Sequence, residues 1–349
     1  MRLITFSEGQ HIQIGAVCPD QRIVKLQAAE TMRSAHPSPH LDDMLSFLRG
    51  EEAARDVASS ALDFALQVEP TGLLTTFDQI TLLPPVPRPE SIREFMAYEQ
   101  HVINCARRLR MPRWRAHADL WIERTLGREH TLARKMNLPW YERPVYYKGN
   151  RFSVAGHDMD VQIPSYCKRF DYELEFGIFL SRPGRNISER DARQHIGGYA
   201  IFNDFSARDI QSREMLGRLG PSKGKDFDNG NSIGPCMVTP DEVGDPYTLT
   251  MTARINGEEV SRGTSADMYF SFEDMITYVS QSETLHAGEF FGGGTCSGAQ
   301  GKGCGLEHGR FLLAGDVIEL EVERLGLLRN RIVGAAPAPT WTPHRKTPA

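Results

Sequence analysis

The chain has no C-x-x-C pair, no internal repeat, no basic stripe and no apolar run approaching the ~18–20 residues that span a bilayer. Each absence removes a class of protein. Six cysteines (Cys18, Cys105, Cys167, Cys236, Cys296 and Cys304) are too scattered for a disulfide framework or a zinc ribbon. They read as small buried hydrophobes in a reducing compartment. The start, M-R-L-I-T-F, lacks the apolar segment of a secretory leader, so a cytoplasmic location is expected. Forty basic and 45 acidic residues are evenly mixed, for a net charge of −5. No patch resembles the electrostatic footprint that a phosphate backbone requires. Neither nucleic acid nor membrane is an expected partner; a small molecule is.

What is present is ordinary globular composition, 40% hydrophobic and 24% charged over 349 residues. That length suffices for one large core and a smaller domain. Leu3–Phe6 and Ile12–Val17 read as strands, and Leu41–Leu66 as one or two helices. L-P-P-V-P-R-P-E at 83–90 places four prolines within six positions, which forbids both ladder and helix. This segment is read as a linker between a small N-terminal α+β domain (1–82) and a larger domain (91–334). The Pro-rich tail, 335–349, is expected to be poorly ordered. A helical pattern runs from Ser91, with Ser91 and Glu94 spaced as a capping box. Residues 111–144 read as a further helix with loops. Strands are expected at 171–180, 198–203, 247–255 and 316–323, a hairpin turn at Asn256-Gly257, and helix caps at Ser206 and Ser271. The fold class is α+β and β-rich.

The stretch D-Y-E-L-E-F-G-I-F-L at 171–180 poses a chemical question. As a strand it puts Tyr172, Leu174, Phe176, Ile178 and Leu180 on one face, with Glu173 and Glu175 on the other. Two carboxylates roughly 6.5 Å apart repel by about 2.5 kcal/mol at an effective dielectric near 20. Water or a cation must offset that. I-E-L-E-V-E at 318–323 has the same alternation and reads simply as a strand with one wet face. Alternation alone leaves both readings open for Glu173 and Glu175.

Further motifs follow in order. N-D-F-S-A-R-D-I-Q at 203–211 puts Asp204 at a strand end, G-K-D-F at 224–227 sets Lys225 in a glycine-flanked loop, and G-T-C-S-G at 294–298 lets backbone approach a ligand closely. Together with E-L-E at 173–175, these resemble the fumarylacetoacetate hydrolase family over roughly residues 85–334. The resemblance implies a mixed β-sandwich/roll with a small N-terminal domain. It also implies a divalent cation, magnesium first and calcium or manganese as alternatives, held by Glu173, Glu175 and Asp204. Hard oxygen donors suit such ions, and a cation reverses the cost of clustering acids.

Glu94 stands seven residues before His101, where the family's fumarylacetoacetate-cleaving members carry an acid as fourth ligand. His101 resembles the general base and Glu307, in G-C-G-L-E-H-G, its partner; Lys225 resembles the residue that stabilises developing negative charge. Arg110 (or Arg107 or Arg108), Tyr147, Arg208, Gln211 and Thr295 match substrate-contacting positions. Family decarboxylases carry H-x-x-E on this helix, where the present chain has Asn104. The expected reaction is hydrolysis of a C–C bond in a β-diketone or acylpyruvate-type acid. The alternative is a metal-dependent hydratase, isomerase or decarboxylase of a related 2-oxo acid. Met96 stands where a substrate-binding tyrosine is usual, and 111–144 is longer than its counterpart, so the substrate stays open. A homodimer is implied by the resemblance alone. His36, His40, His117 and His157 carry no claim.

Overall fold

The computed structural model describes residues 1–68, 72–298 and 301–337. A twelve-stranded sheet forms its centre. From one edge the order runs Leu74–Thr75, Ile23–Lys25, His11–Val17, Arg2–Glu8, Asn231–Val238, Ile196–Asp204, Glu175–Leu180, Phe290–Gly292, Ile92–Phe95 and Tyr146–Gly149. Hydrogen bonds therefore pass from the first strand of the chain directly into the strands carrying the sequence motifs, through Arg2↔Val238 and Leu3↔Met237. Neighbours along this path are antiparallel except Phe290–Gly292 and Ile92–Phe95, which run parallel. A second sheet of five strands contains Thr250–Ile255, Val317–Val322 and Gly326–Val333. This is the β-rich α+β architecture expected.

The central strands are covered on both faces. Every residue of Glu175–Leu180 and Ile196–Asp204 is buried. Phe176, Ile178 and Leu180 pack with Phe272, Met275 and Ile276 of the helix Phe272–Val279 and with Met251, Ile318 and Leu320 of the second sheet. On the other face, Phe179, Phe202, Phe290 and Ile92 meet Phe47, Leu48 and the alanine row Ala54, Ala58, Ala61 and Ala65. That row follows helical periodicity along Glu51–Val68, so small side chains let the helix lie close to the sheet. Glu319 and Glu321 of the second sheet are half-buried and exposed, as a wet-faced strand requires.

Some local expectations hold. Ser271 caps its helix in a complete capping box with Asp274. Asn256 and Gly257 both take positive φ, as the hairpin turn demands.

Others need correction. Ile92–Phe95 is a strand, not the start of a helix; the helix begins at Glu99 and ends at Arg110. Its apolar spacing suits either state, and pairing on both edges with Phe290–Gly292 and Tyr146–Gly149 decides the outcome. Ser91 forms no capping box: its hydroxyl donates to Glu289 Oε2 at 2.7 Å. Residues 171–180 are not one strand. Phe170–Asp171 pairs with Ser206–Ala207, Glu173 makes a single bridge to Cys304, and the ladder resumes at Glu175. Ser206 is not the helix cap, since Ala207 precedes the helix Arg208–Leu216. The strand expected at 198–203 runs from Ile196 to Asp204. The segment 111–144 forms the helices Arg113–Leu126 and Leu132–Lys135 with two 3-10 turns. The tail expected to be disordered falls, beyond residue 337, outside the described residues.

Phe272 is fully buried edge-on against Phe176, with ring centroids 5.1 Å apart. Phe272→Ala should cost about 3–5 kcal/mol of unfolding free energy. Urea denaturation monitored by circular dichroism measures this, with a lowered midpoint at unchanged slope as the expected result.

Candidate active site

Side-chain alternation carries Glu94 to the face occupied by Ile92, Glu175 to that of Phe179, and Asp204 to that of Phe202. The three acids therefore emerge on one face of adjoining strands. A glycine row opens the space between them: Gly177 lies opposite Gly292, which lies opposite Glu94. A β-carbon at Gly292 would collide with the Glu94 carboxylate. Glu94, Glu175 and Asp204 each contribute an oxygen to a buried cluster within 4.8 Å. Among the described residues, both oxygens of Glu94 and Oδ1 of Asp204 are buried without a hydrogen-bond partner. Orphaned buried acceptors are costly. An all-oxygen donor set of this charge fits magnesium, manganese or calcium.

Burial, reinforced by mutual repulsion, raises these carboxyl groups. Glu94 is pushed well above the usual range, Glu175 up to about 8 and Asp204 up to about 6. Asp204 is restrained by Lys225 and by Tyr147, whose hydroxyl donates to Oδ2 at 2.5 Å. Glu175 accepts from Gly294 N at 3.0 Å and from the Thr295 hydroxyl at 3.3 Å.

Glu173 does not join this trio. It is buried, yet its oxygens are taken by Arg208 Nη2 at 2.8 Å and Lys225 Nζ at 2.6 Å. Burial opposes its ionisation, but these two cations outweigh it and hold the carboxyl well below its ordinary range. The break in the strand explains the difference between the two glutamates. Glu175 sits in the ladder, whereas Glu173 turns with the bridge to Cys304.

Lys225 also reaches Asp204 Oδ2 at 2.5 Å and Asp204 O at 3.2 Å, so its three protons are all engaged. Burial works against its charge, but Asp204 and Glu173 raise it to about 12. Arg208 bonds Asp171 (2.7 Å), Glu173 and Gln211 Oε1 (3.0 Å). Arg208 and Gln211 are thus tied to the framework in this arrangement.

Beside the acids lies a second constellation. His101 Nδ1 meets Glu307 Oε1 at 2.8 Å. Glu307 Oε2 accepts from the Ser297 hydroxyl (2.7 Å) and Gly303 N (2.8 Å), and Asn104 Nδ2 approaches Oε1 at 3.4 Å. Burial disfavours the imidazolium, but Cys105 and Glu307 reverse this and raise His101 well above its ordinary value. Among the arginines in A-R-R-L-R, Arg110 turns outward to Asn137 at 3.1 Å. Arg107 is buried in ion pairs with Asp119 and Glu123. Arg108 Nη2 reaches the Glu307 carbonyl at 2.9 Å.

Asp171 is a residue that the sequence motifs did not flag. Fully buried, it accepts from Gly305 N (2.7 Å) and Leu306 N (2.9 Å), opening the short helix that carries Glu307, while it also anchors Arg208. The signal was its spacing: Asp171, Glu173 and Glu175 alternate in one stretch.

The chain belongs to the family described as Fumarylacetoacetate (FAA) hydrolase C-terminal, which matches residues 91–333. A similar relative is the human "Oxaloacetate tautomerase FAHD2A, mitochondrial", 30% identical over 292 residues, which are 83% of this chain and 79% of that one. Among solved structures, the fumarylacetoacetate hydrolase of Exiguobacterium antarcticum shares the fold at a TM-score of 0.70 and 23% identity, covering 96% of this chain and 99% of that one. Maleylpyruvate hydrolase from Sphingobium sp. SYK-6, solved with manganese(II) and pyruvate, gives 0.68 and 21%, covering 96% and 100%. These likenesses establish the expected fold. The cytoplasmic location expected from the chain's start is overturned, because the human relative and its counterparts in cattle, rat and frog are named as mitochondrial proteins.

Two outcomes test the acid cluster. Gly292→Ala should weaken magnesium binding at least tenfold in calorimetry while leaving the far-ultraviolet dichroism unchanged, since the added carbon displaces Glu94. The second outcome concerns pH. Carboxyl groups with raised folded pKa values stabilise the fold while protonated, and that stability is lost as pH rises from about 4.5 toward about 8. The melting temperature of chelator-treated protein should therefore fall over this window, and saturating magnesium should remove most of the fall. His101 adds a loss of the same sign that the cation does not remove. Identical profiles with and without magnesium would contradict the assignment.

Proposed function

We propose that this protein is a divalent-metal-dependent enzyme that interconverts the enol and keto forms of a small 2-oxo dicarboxylic acid of the oxaloacetate kind. The observation that carries the reading is that one loop joins two units, Thr295 bonding Glu175 and Ser297 bonding Glu307. One is a buried trio of carboxylates with three unpartnered oxygens; the other is a histidine held at one nitrogen by a buried glutamate. The names of the tautomerase relatives support it.

Glu94, Glu175 and Asp204 would hold the cation, which when bound would supply Lewis-acid stabilisation of developing negative charge. Magnesium is the proposed ion, with manganese or calcium as substitutes. Glu307 holds His101 through Nδ1, which leaves Nε2 as the atom that moves a proton at the carbon beside the keto group. Glu307 also balances the imidazolium that forms. Tyr147, Thr295 and Lys225 orient the acids, while Glu173, Arg208 and Gln211 hold Lys225 and the short Glu307 helix in register. Arg108, exposed and adjacent to Glu307, binds the substrate's far carboxylate. A proton leaves one atom and returns to another, and no bond between heavy atoms breaks.

The second reading is hydrolysis of a C–C bond in a β-diketone or acylpyruvate-type acid. The same His101–Glu307 pair could activate water, and Asn104 in place of an acid departs from the decarboxylase pattern.

The enol form of oxaloacetate, followed by its ultraviolet decay with magnesium present, is the test. His101→Asn should slow the catalysed decay by about 10²–10⁴-fold, and Glu94→Gln should abolish the magnesium dependence. Mass analysis separates the two readings. An isomer of unchanged mass supports tautomerisation, and cleavage fragments from acylpyruvates with no effect on the enol would replace it with hydrolysis.

A further inference from the structure

Away from the acid cluster, a cavity of about 630 Å³ opens where the N-terminal domain meets the second sheet. Volumes of this size suit small organic ligands. Its walls come chiefly from the first strand, from residues 77–82, and from the strands Asn231–Val238 and Gly326–Val333. Ile4, Phe77, Ile80, Leu82, Met159 and Leu327 supply an apolar lining, of which Phe77 is 41% exposed. Covering such surface removes apolar area from water.

Charge in this wall is uneven. Arg329 is matched: its Nε and Nη2 fork onto Asp158 at 2.5 and 2.8 Å, and Asp158 also meets His157 Nε2 at 3.3 Å. Arg2 is not matched. Among the described residues it forms no ion pair, its Nε is buried without a hydrogen-bond partner, and its Nη2 makes one long bond, 3.3 Å, to the Arg324 carbonyl. The Cys236 thiol beside it offers no counter-charge, because burial pushes it up to about 11 and Arg2 only partly opposes this. A guanidinium carries five N–H donors and pairs well with a planar carboxylate. A buried donor left idle carries a desolvation cost.

We propose that this cavity binds a medium-chain monocarboxylate, whose head group pairs with Arg2 while its chain lies along the apolar lining. One unmatched cation calls for one negative charge, and a phosphate dianion would leave charge without a partner. The lining calls for a chain that a short polar acid lacks. No residue of the cavity takes part in the reaction proposed above, so the site stands whether or not that reading holds.

Calorimetric titration of the full chain with octanoate, and separately with octanol and inorganic phosphate, provides the test. Octanoate should bind at one equivalent, more tightly than octanol by about tenfold or more. Arg2→Gln should bring octanoate down to the affinity of octanol and leave octanol unchanged. Arg2→Lys should restore part of the difference, and Phe77→Ser should weaken both ligands. Far-ultraviolet dichroism checks that each variant folds, and the contrast of acid with alcohol on the unmutated chain decides the point without them. The proposal is overturned by equal octanoate binding in wild type and Arg2→Gln, by the absence of saturable heat, or by phosphate binding as tightly as octanoate.

Discussion

Everything at this site depends on how the protein tolerates four buried carboxylates in one region. Two cations, Lys225 and Arg208, are fully engaged with Glu173 and Asp204 and with Asp171 behind them. Glu94 and Glu175 receive no such partner, and their raised affinity for protons follows from burial and mutual repulsion. The imbalance is local. Positive charge lies on one side, unsatisfied oxygen on the other, and the gap between them has the chemistry of a cation site.

The fold makes that imbalance by small devices of backbone rather than by unusual side chains. The ladder pauses at Glu173, so two glutamates separated by one leucine face different neighbours. The short strand Phe290–Gly292 contributes no side chain between Glu94 and Gly177, so an acid two strands away can reach Glu175. Asp171 links both halves by opening the helix of Glu307 and holding Arg208.

Much of this was legible in the sequence, for physical reasons that differ by residue. Asp204 and Glu175 stand out through the ordered motifs N-D-F-S-A-R-D-I-Q and E-L-E, whereas alternation alone leaves Glu175 open between a wet face and a cation. The sequence groups Glu94 with these acids but puts it on a helix where the structure has a strand, because apolar spacing over four residues cannot separate the two. Arg110 was the preferred arginine, yet Arg108 is the one at Glu307, since a helix turns about 100° per residue and sequence adjacency does not choose the facing side. Glu173 shows the limit most clearly. Alternation put it beside Glu175, and only the interrupted ladder, a long-range pairing with Cys304, separates them.

The parallel junction between Phe290–Gly292 and Ile92–Phe95 has a consequence for assembly. Parallel neighbours cannot form by a tight turn and must wait for a long crossover to close. Glu94 can approach Glu175 only once that seam has joined the sheet. An ion gripping these acids would therefore act as a clasp across the one parallel seam in the row.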